Sequence, residues 1–529
     1  MRASTVLRAA VCCTGLVLAA CSDDAGPAAT PASTDSVSAT TRPTSAASGA
    51  AVAAPYDLGT FTGIDIWVDP NNGNDQNDGH DRASAMQTID AAWQRIPAGE
   101  ELKTGFRLRL VPGTYPQATS VNYWEDRHGT PAAPIIIEAA DGPHTATFEG
   151  DINMFGVSHF ALVGVDIIRE GDAFHCEHCD HILLRNTELS GGADGVGAHE
   201  TVKVNQSQYI YIEGSDIHGA DDNAIDFVAV QHGHVIGNRI HDAVDWCAYA
   251  KGGSASITYA ANEVYDCGTG GITAGQGTGF EFMTEPWLNY EAYGIVIAGN
   301  VVHDTEGAGL GVAGGFNVLL AYNTLYNVGS RSHVVEFVHG RRGCDGSADI
   351  CQAHHDAGGW GSTAGEDALI PNRHVYFVDN LIVNPAGHAS QWQHLQIDGP
   401  LDVPKSSNVP SPSLADDDLR IEGNVIWNGP ADHELGAGDG CSDTNATCTA
   451  EKIRAANAIN TIEPELRDPE HGDFRLTDAS AAVMPSAVAL PEFVWDDTPI
   501  AVPAGDAWLD VSTDFHGNPR PVSGPPGAG

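Results

Sequence analysis

A solenoid of parallel β-strands is the fold class this sequence predicts, on three observations. First, one short pattern recurs between residues 182 and 428: two apolar residues in alternation, two spacers, Asn, a spacer, an apolar residue, an aromatic or His, then Asp or Asn. It reads ITYAANEVYD at 257–266, IVIAGNVVHD at 295–304, VLLAYNTLYN at 318–327 and VYFVDNLIVN at 375–384. Second, the marks Ser215, Asn238, Asn262, Asn300, Asn323, Asn380 and Asn424 fall 23, 24, 38, 23, 57 and 44 residues apart, a unit too short for helical-hairpin repeats. Third, Gly (60), Asn, Asp and β-branched residues are plentiful while Met (5) and Leu are scarce, which suits short strands and many turns. One coil cannot bury its apolar face alone and must stack on the next. Stacking lines up equivalent residues one strand spacing apart, so Asn238, Asn262, Asn300 and Asn323 are expected to form an internal amide ladder. The long intervals are coils with inserted loops.

On this reading the 529 residues make one elongated body rather than three ordinary domains. Lys plus Arg number 25 against 70 Asp plus Glu, a formal charge of −45, and this excludes nucleic acid as a partner. A polyanionic substrate is repelled as well, unless a bound cation or a local basic pocket intervenes. Keeping an exported protein soluble is the plainer use of such charge.

Taken in order, residues 1–20 carry Arg2, Arg8 and an apolar run too short to span a membrane. Leu18-Ala19-Ala20-Cys21 resembles the lipobox of bacterial lipoproteins. The resemblance implies a signal peptide over 1–20 and a lipid on Cys21. The protein is then an exported, membrane-anchored lipoprotein facing the periplasm or cell surface, touching the membrane through that lipid only. An ordinary cleaved signal is the alternative, and it also implies export. Residues 21–58 are Ala, Ser, Thr and Pro with few large apolar residues, the composition of a disordered tether.

Of eleven cysteines, setting aside Cys12, Cys13 and Cys21 leaves eight, an even number that favours disulfides in an oxidising compartment. Cys344 with Cys351 and Cys441 with Cys448 read as local staples. Cys176 and Cys179 sit in HCEHCDH, where a disulfide is preferred to zinc because no second CxxC completes a four-ligand site. Cys247 and Cys267 fall in adjacent coils with registers four positions apart, and their pairing stays open.

The β-helix is expected over 59–430. Residues 64–116 open it with a strand, a polar Asn/Gly/Asp loop, an amphipathic helix and a strand ending in Pro-Gly-Thr-Tyr. Ile89, Ala92, Trp93 and Ile96 are spaced for one helix face, which would plug the open end of the solenoid. This stretch, with GTPAAPIIIEAADG at 129–142, resembles the opening of right-handed parallel β-helix proteins of the pectin-lyase-like class. Beyond 430 the repeat fades, and 431–529 is expected to be a loop-rich, irregular C-terminal cap.

Aligning coils on their Asn marks brings GGADGVG (191–197), GADDNAIDF (219–227) and DWCAYAKGGS (245–254) to one edge of three successive turns. Asp194 is expected beside Asp221 and Asp222, with Asp226 following, and Lys251 lies 25 residues after Asp226, about one coil. Crowded carboxylates call for a hard cation with oxygen ligands, most simply Ca²⁺. A Lys beside that cation loses its proton more easily and becomes a base. The arrangement is similar to that of family-nine pectate lyases, which implies Asp194, Asp221, Asp222 and Asp226 as metal ligands and Lys251 as the base. The alternative for the carboxylates is turn capping, for which Asp and Asn serve in every β-helix.

Lys203 is expected to flank Lys251 from an earlier coil. Trp246, Trp287 and Tyr290 are expected to stack on sugar faces or, alternatively, to close the long 38-residue coil. His218, His241, Tyr265, His303 and Tyr326 share one repeat position and read as a structural file of rings.

Three functions follow as expectations. The first is a calcium-dependent lyase that cleaves an acidic, uronate-containing polysaccharide by β-elimination, with an epimerase starting the same way. The second is a polygalacturonase-like hydrolase, against which His232 and His234 lie less than half a coil past Asp222. The third is a non-catalytic glycan-binding or adhesin solenoid. In each the protein is read as a monomer.

Overall fold

The computed structural model describes residues 54–517 except 170, 193–198, 364–367, 406, 431–434, 436–439 and 496–512. The signal and lipidation expectations at 1–20 and Cys21, and the site expectation at Asp194, lie outside the described residues.

Three parallel sheets run the length of the body, and each coil contributes one strand to each. The coil from 225 to 243 is representative. Residues Ile225–Val228 enter the first sheet, Gln231–Ile236 the second and Arg239–Ala243 the third. The first sheet has ten strands and the other two have twelve each. Register is kept from coil to coil, as in Lys203 opposite Asp226 and Asp226 opposite Tyr249. This is the parallel β-helix expected from the sequence.

The strands form because inward positions carry Ile, Val, Leu, Phe and Ala in alternation; Ile257, Tyr259, Val264, Ile272 and Leu310 are wholly buried. Burying each large side chain stabilises the stack by about 1.5–3 kcal/mol. The corner between the second and third sheets takes one left-handed residue, Gly237, Ala261, Gly299, Tyr322, Asp379 or Gly423, followed by an Asn. Those Asn form the predicted ladder. Asn238 Nδ2 donates to Asn262 Oδ1 at 3.0 Å, Asn262 to Asn300 at 2.9 Å, Asn300 to Asn323 at 3.0 Å and Asn323 to Asn380 at 2.9 Å. Asn424 and Asn457 extend it, and a shorter file of Asn384 and Asn428 runs at the next corner.

The stack runs past the expected boundary at 430. Residues Ala458–Ile459 pair with Val425 and Ile426 of the third sheet because Asn457 and Asn460 continue both amide files. At the other end the helix Ile89–Trp93 is capped by the Thr88 side chain and buries Ile89, Ala92 and Trp93 over the first coils, with Trp93 edge-on to Trp124 at 4.7 Å.

All eight cysteines of the body pair: Cys176–Cys179, Cys247–Cys267, Cys344–Cys351 and Cys441–Cys448. Cys247 and Cys267 meet because they are the start and finish of one coil, which closes on itself, rather than members of neighbouring coils. The ring file is present too. His218, His241, Tyr265 and His303 stack at 4.9, 4.5 and 4.9 Å, whereas Tyr326 leans on Phe474.

Candidate functional site

The long insertions share one corner, between the first and second sheets, at 276–291, 339–372 and 398–416. They raise a wall along one side of the first sheet's outer face. Along the other side, where the third sheet turns into the first, lie Asp222 and Asp245. Between them is a trough floored by two rows of outward side chains. One row runs His175, Lys203, Asp226, Tyr249, Thr273, Gly311 and Glu336; the other includes Asn205, Val228, Lys251 and Gly275.

Lys251 ends its strand in the second row. Its ammonium donates to the Tyr249 hydroxyl at 2.9 Å and to Gln276 Oε1 at 3.1 Å, 4.2 Å from the centre of the Tyr249 ring. It forms no ion pair among the described residues. The turn that follows is held from the wall. Gly252 N donates to Glu291 Oε2 at 2.9 Å and Gly253 N to the Glu291 carbonyl, both glycines with φ near +70°. A Cβ on Gly252 would meet Val228 and Thr278 at 3.0 Å. Glu291 is in turn paired with Arg342, both side chains fully buried, and Arg342 also donates to the carbonyls of Leu288, Asn289 and Trp360. This pair, invisible to the repeat because its members sit in two insertions, fixes the wall beside Lys251.

The register corrects the expected alignment. Lys251 lies opposite Val228, and Asp226 opposite Tyr249, because the coil here is 23 residues rather than 25. Lys203 is the lysine level with Asp226: its ammonium is 2.6 Å from Glu200 Oε1 and 3.4 Å from Asp226 Oδ2. Burial alone would lower the Lys203 pKa, but Asp226 and Glu200 hold the ammonium charged and push it above its ordinary value.

The carboxylates are arranged differently from the expected ligand set. Asp221 turns to His199, with 3.8 Å between Oδ2 and Nδ1, whereas Asp222 faces the trough. Burial and then Asp245 push Asp222 up to about 6. Asp245 was missed, although it lies one 23-residue coil after Asp222 and that interval was its signal. Among the described residues no three of these carboxylates bring ligand atoms within 4.8 Å of one another.

The donor chemistry nevertheless fits a hard cation. Asp226 and Asn223 are 2% and 1% exposed, and Oδ1 of each is buried with no hydrogen-bond partner. An orphaned carboxylate oxygen and an orphaned amide oxygen beside crowded aspartates are the groups an oxygen-liganded ion takes. Asp222, Asn223, Asp226 and Asp245 are therefore the residues that would hold it.

Two of the three expected sugar-stacking aromatics are elsewhere. Trp287 and Tyr290, 6% and 5% exposed, pack under the insertions against Tyr293, Phe316 and Trp360. They close the long coil and bind the wall to the second sheet. Trp246 does border the trough, filling the space left by Gly270 and Gly311. His234 pairs with Glu213 and His232 stacks on Tyr209, both on the second sheet and away from Asp222.

Residues 151–343 match the family model described as the right handed beta helix region. No curated protein matches the chain. Among solved structures, pectate lyase Pel9A is 14% identical, covering 83% of this chain and 95% of that one with a TM-score of 0.46. The A-module of the mannuronan C-5 epimerase AlgE4 from Azotobacter vinelandii is 11% identical over 66% of this chain and 90% of that one, TM-score 0.38. PfbA, a surface adhesin of Streptococcus pneumoniae, is 10% identical over 56% and 80%, TM-score 0.34. The chain is a right-handed parallel β-helix, the fold read from the sequence.

Proposed function

We propose that the protein is a polysaccharide lyase that lays an acidic glycan along the trough of the first sheet and cleaves it by β-elimination, with Lys251 as the base. One observation carries this reading: Lys251 is held by two neutral groups, Tyr249 and Gln276, and by no carboxylate, while the neighbouring Lys203 is locked between Glu200 and Asp226. Two carboxylates hold the proton on a salt-bridged lysine, and a lysine bonded only to neutral groups gives it up at less cost. Tyr249 is fully buried, its own ionisation pushed far up by burial and then by Asp226, so it accepts from Lys251 as a neutral phenol and orients it.

A calcium ion held by Asp222, Asn223, Asp226 and Asp245 would supply neutralisation of the uronate carboxylate and so acidify the adjacent carbon–hydrogen bond. The chain's own residues do the rest. The Gly252–Gly253 turn lets the sugar approach the backbone, Glu291 fixes that turn, and the wall shields one flank of the trough.

The test is product analysis on uronate-containing glycans. Wild type is expected to release unsaturated ends that absorb in the ultraviolet. Lys251→Ala is expected to lose at least about 100-fold in kcat with the melting temperature nearly unchanged, the usual contribution of a positioned base being about 10²–10⁴. Lys251→Arg should be almost as damaging, since a guanidinium stays protonated. Saturated ends from wild type would point to a hydrolase, and binding without cleavage to an adhesin.

A further inference from the structure

Immediately beyond Lys251 the trough sinks into a depression bordered by Trp246, Thr273, Gln276, Glu336, His339 and Arg341. Gln276 joins it to the base: its Oε1 accepts from Lys251, and its Nε2 lies 3.5 Å from Asp245 Oδ2. Two groups in the depression stand out for having nothing to do in the fold. The Glu336 carboxyl makes no hydrogen bond or ion pair among the described residues. It rises between Thr273 and the wall because the intervening residue of its row is Gly311, whose missing Cβ would lie 3.2 Å from Glu336 Cγ. The Arg341 side chain is exposed and likewise has no acid partner among the described residues, in a chain where carboxylates outnumber cations 70 to 25. Its backbone is fixed to the first insertion, its N–H donating to the Gln276 carbonyl and its carbonyl accepting from Thr278 N. His339, by contrast, is committed to Asp398 and to the Ser413 carbonyl.

We propose that this depression is the subsite for the leaving sugar, in which Arg341 takes that sugar's carboxylate and Glu336 gives its proton to the departing glycosidic oxygen. The proposal rests on the lyase reading and adds the acid and the second subsite which that reading lacks.

The step balances. Neutral Lys251 takes the proton from C5, and the C5–H electron pair becomes the C4–C5 double bond. The C4–O bond breaks, and its oxygen receives the Glu336 proton and leaves as a hydroxyl. Lys251 is left as the ammonium and Glu336 as the carboxylate, and proton exchange with water restores both. The acid must be protonated near neutral pH, and the surroundings favour that. Burial and then the charges of Asp398 and Asp245 push Glu336 up to about 7, with Arg341 at the rim and His339 bonded away from it. An isolated guanidinium is suited to bidentate capture of a carboxylate and offsets the acidity of the rest of the trough.

The experiment compares wild type, Glu336→Gln and Arg341→Ala on uronate oligosaccharides. Glu336→Gln is expected to lower kcat about 100-fold with KM within about twofold. It should also remove the alkaline limb of the kcat–pH profile and regain wild-type rates on a substrate with a nitrophenolate leaving group, which needs no acid. For Arg341→Ala, calorimetric binding of a uronate oligosaccharide in the Lys251→Ala background should weaken about tenfold, while binding of the carboxyl-reduced oligosaccharide stays the same. A Glu336→Gln enzyme with wild-type kcat and an intact alkaline limb overturns the proton donor, and undiminished uronate binding by Arg341→Ala overturns the subsite. Saturated products from wild type would instead defeat the lyase reading, with the Glu336 comparison still deciding the donor. No cleavage at all defeats lyase and donor together, and calorimetry then decides Arg341.

Discussion

Asp222 and Asp221 are neighbours in sequence with opposite fates, since a corner residue points either into the trough or along the turn. Asp222 points into the trough, where burial and Asp245 raise its pKa from 3.8 to about 6. A carboxyl whose folded pKa exceeds its unfolded one contributes stability that is fully present below the unfolded value and is lost as pH rises through the folded one. Asp222→Asn is therefore expected to stabilise the protein against unfolding at about pH 8 by on the order of 1–2 kcal/mol and to change little at about pH 3. Urea melts at the two pH values check this. Lys251, Asp222 and Asp226 stand out in the sequence as candidates because a lysine before two glycines and an Asp-rich corner depart from the repeat. Their mutual placement was not legible, because aligning Asp226 with Lys251 assumed a 25-residue coil and the true 23-residue coil sets them two positions apart. Glu336 and Arg341 were not legible: Glu336 falls 13 residues after its Asn mark where Gly311 falls 11 after its own, because the turn before it is two residues longer, and Arg341 lies inside an insertion.

At the scale of elements, the corner between the second and third sheets is the most legible feature, since a left-handed residue followed by Asn is a local code repeated in register. Each ladder amide is satisfied by its neighbours: Asn300 accepts from Asn262 Nδ2 and N and donates to Asn323 Oδ1 and to the Tyr259 carbonyl. Asn300→Leu strands several of those groups at about 1–3 kcal/mol each, so a cooperative loss of at least about 3 kcal/mol is expected in denaturant melts; an unchanged midpoint would contradict the ladder's role. The insertions are the opposite case, since nothing periodic marks them. They are fixed by Glu291 and Arg342, and removing one partner of a fully buried pair costs about 3–5 kcal/mol. Glu291→Ala should cost this much and also free the Gly252–Gly253 turn, so its kcat falls even where the variant is still folded. Retention of full kcat in the folded fraction would show that the wall does not position Lys251.

Across the whole molecule the formal charge of −45 sets a background repulsion that any salt relieves and that a specific cation relieves locally. The two can be told apart. Screening depends on ionic strength, with a Debye length of about 10 Å at 0.1 M, whereas a bound ion stabilises by mass action, about 2.7 kcal/mol at 100 times its Kd, and then rises only logarithmically with concentration. At fixed ionic strength, calcium is expected to raise the melting temperature from a low-concentration threshold that marks the Kd, and a chelator to reverse the rise. Asp226→Asn alters the baseline because Lys203 loses a partner, so the quantity to compare is the calcium-dependent increment. It should largely vanish in Asp226→Asn and Asp245→Asn and persist in Asp402→Asn, where an exposed aspartate of the third insertion contributes to net charge alone. Equal increments in all three variants would assign the effect to bulk charge. The trough would then have to neutralise an acidic glycan with Arg341, without a metal.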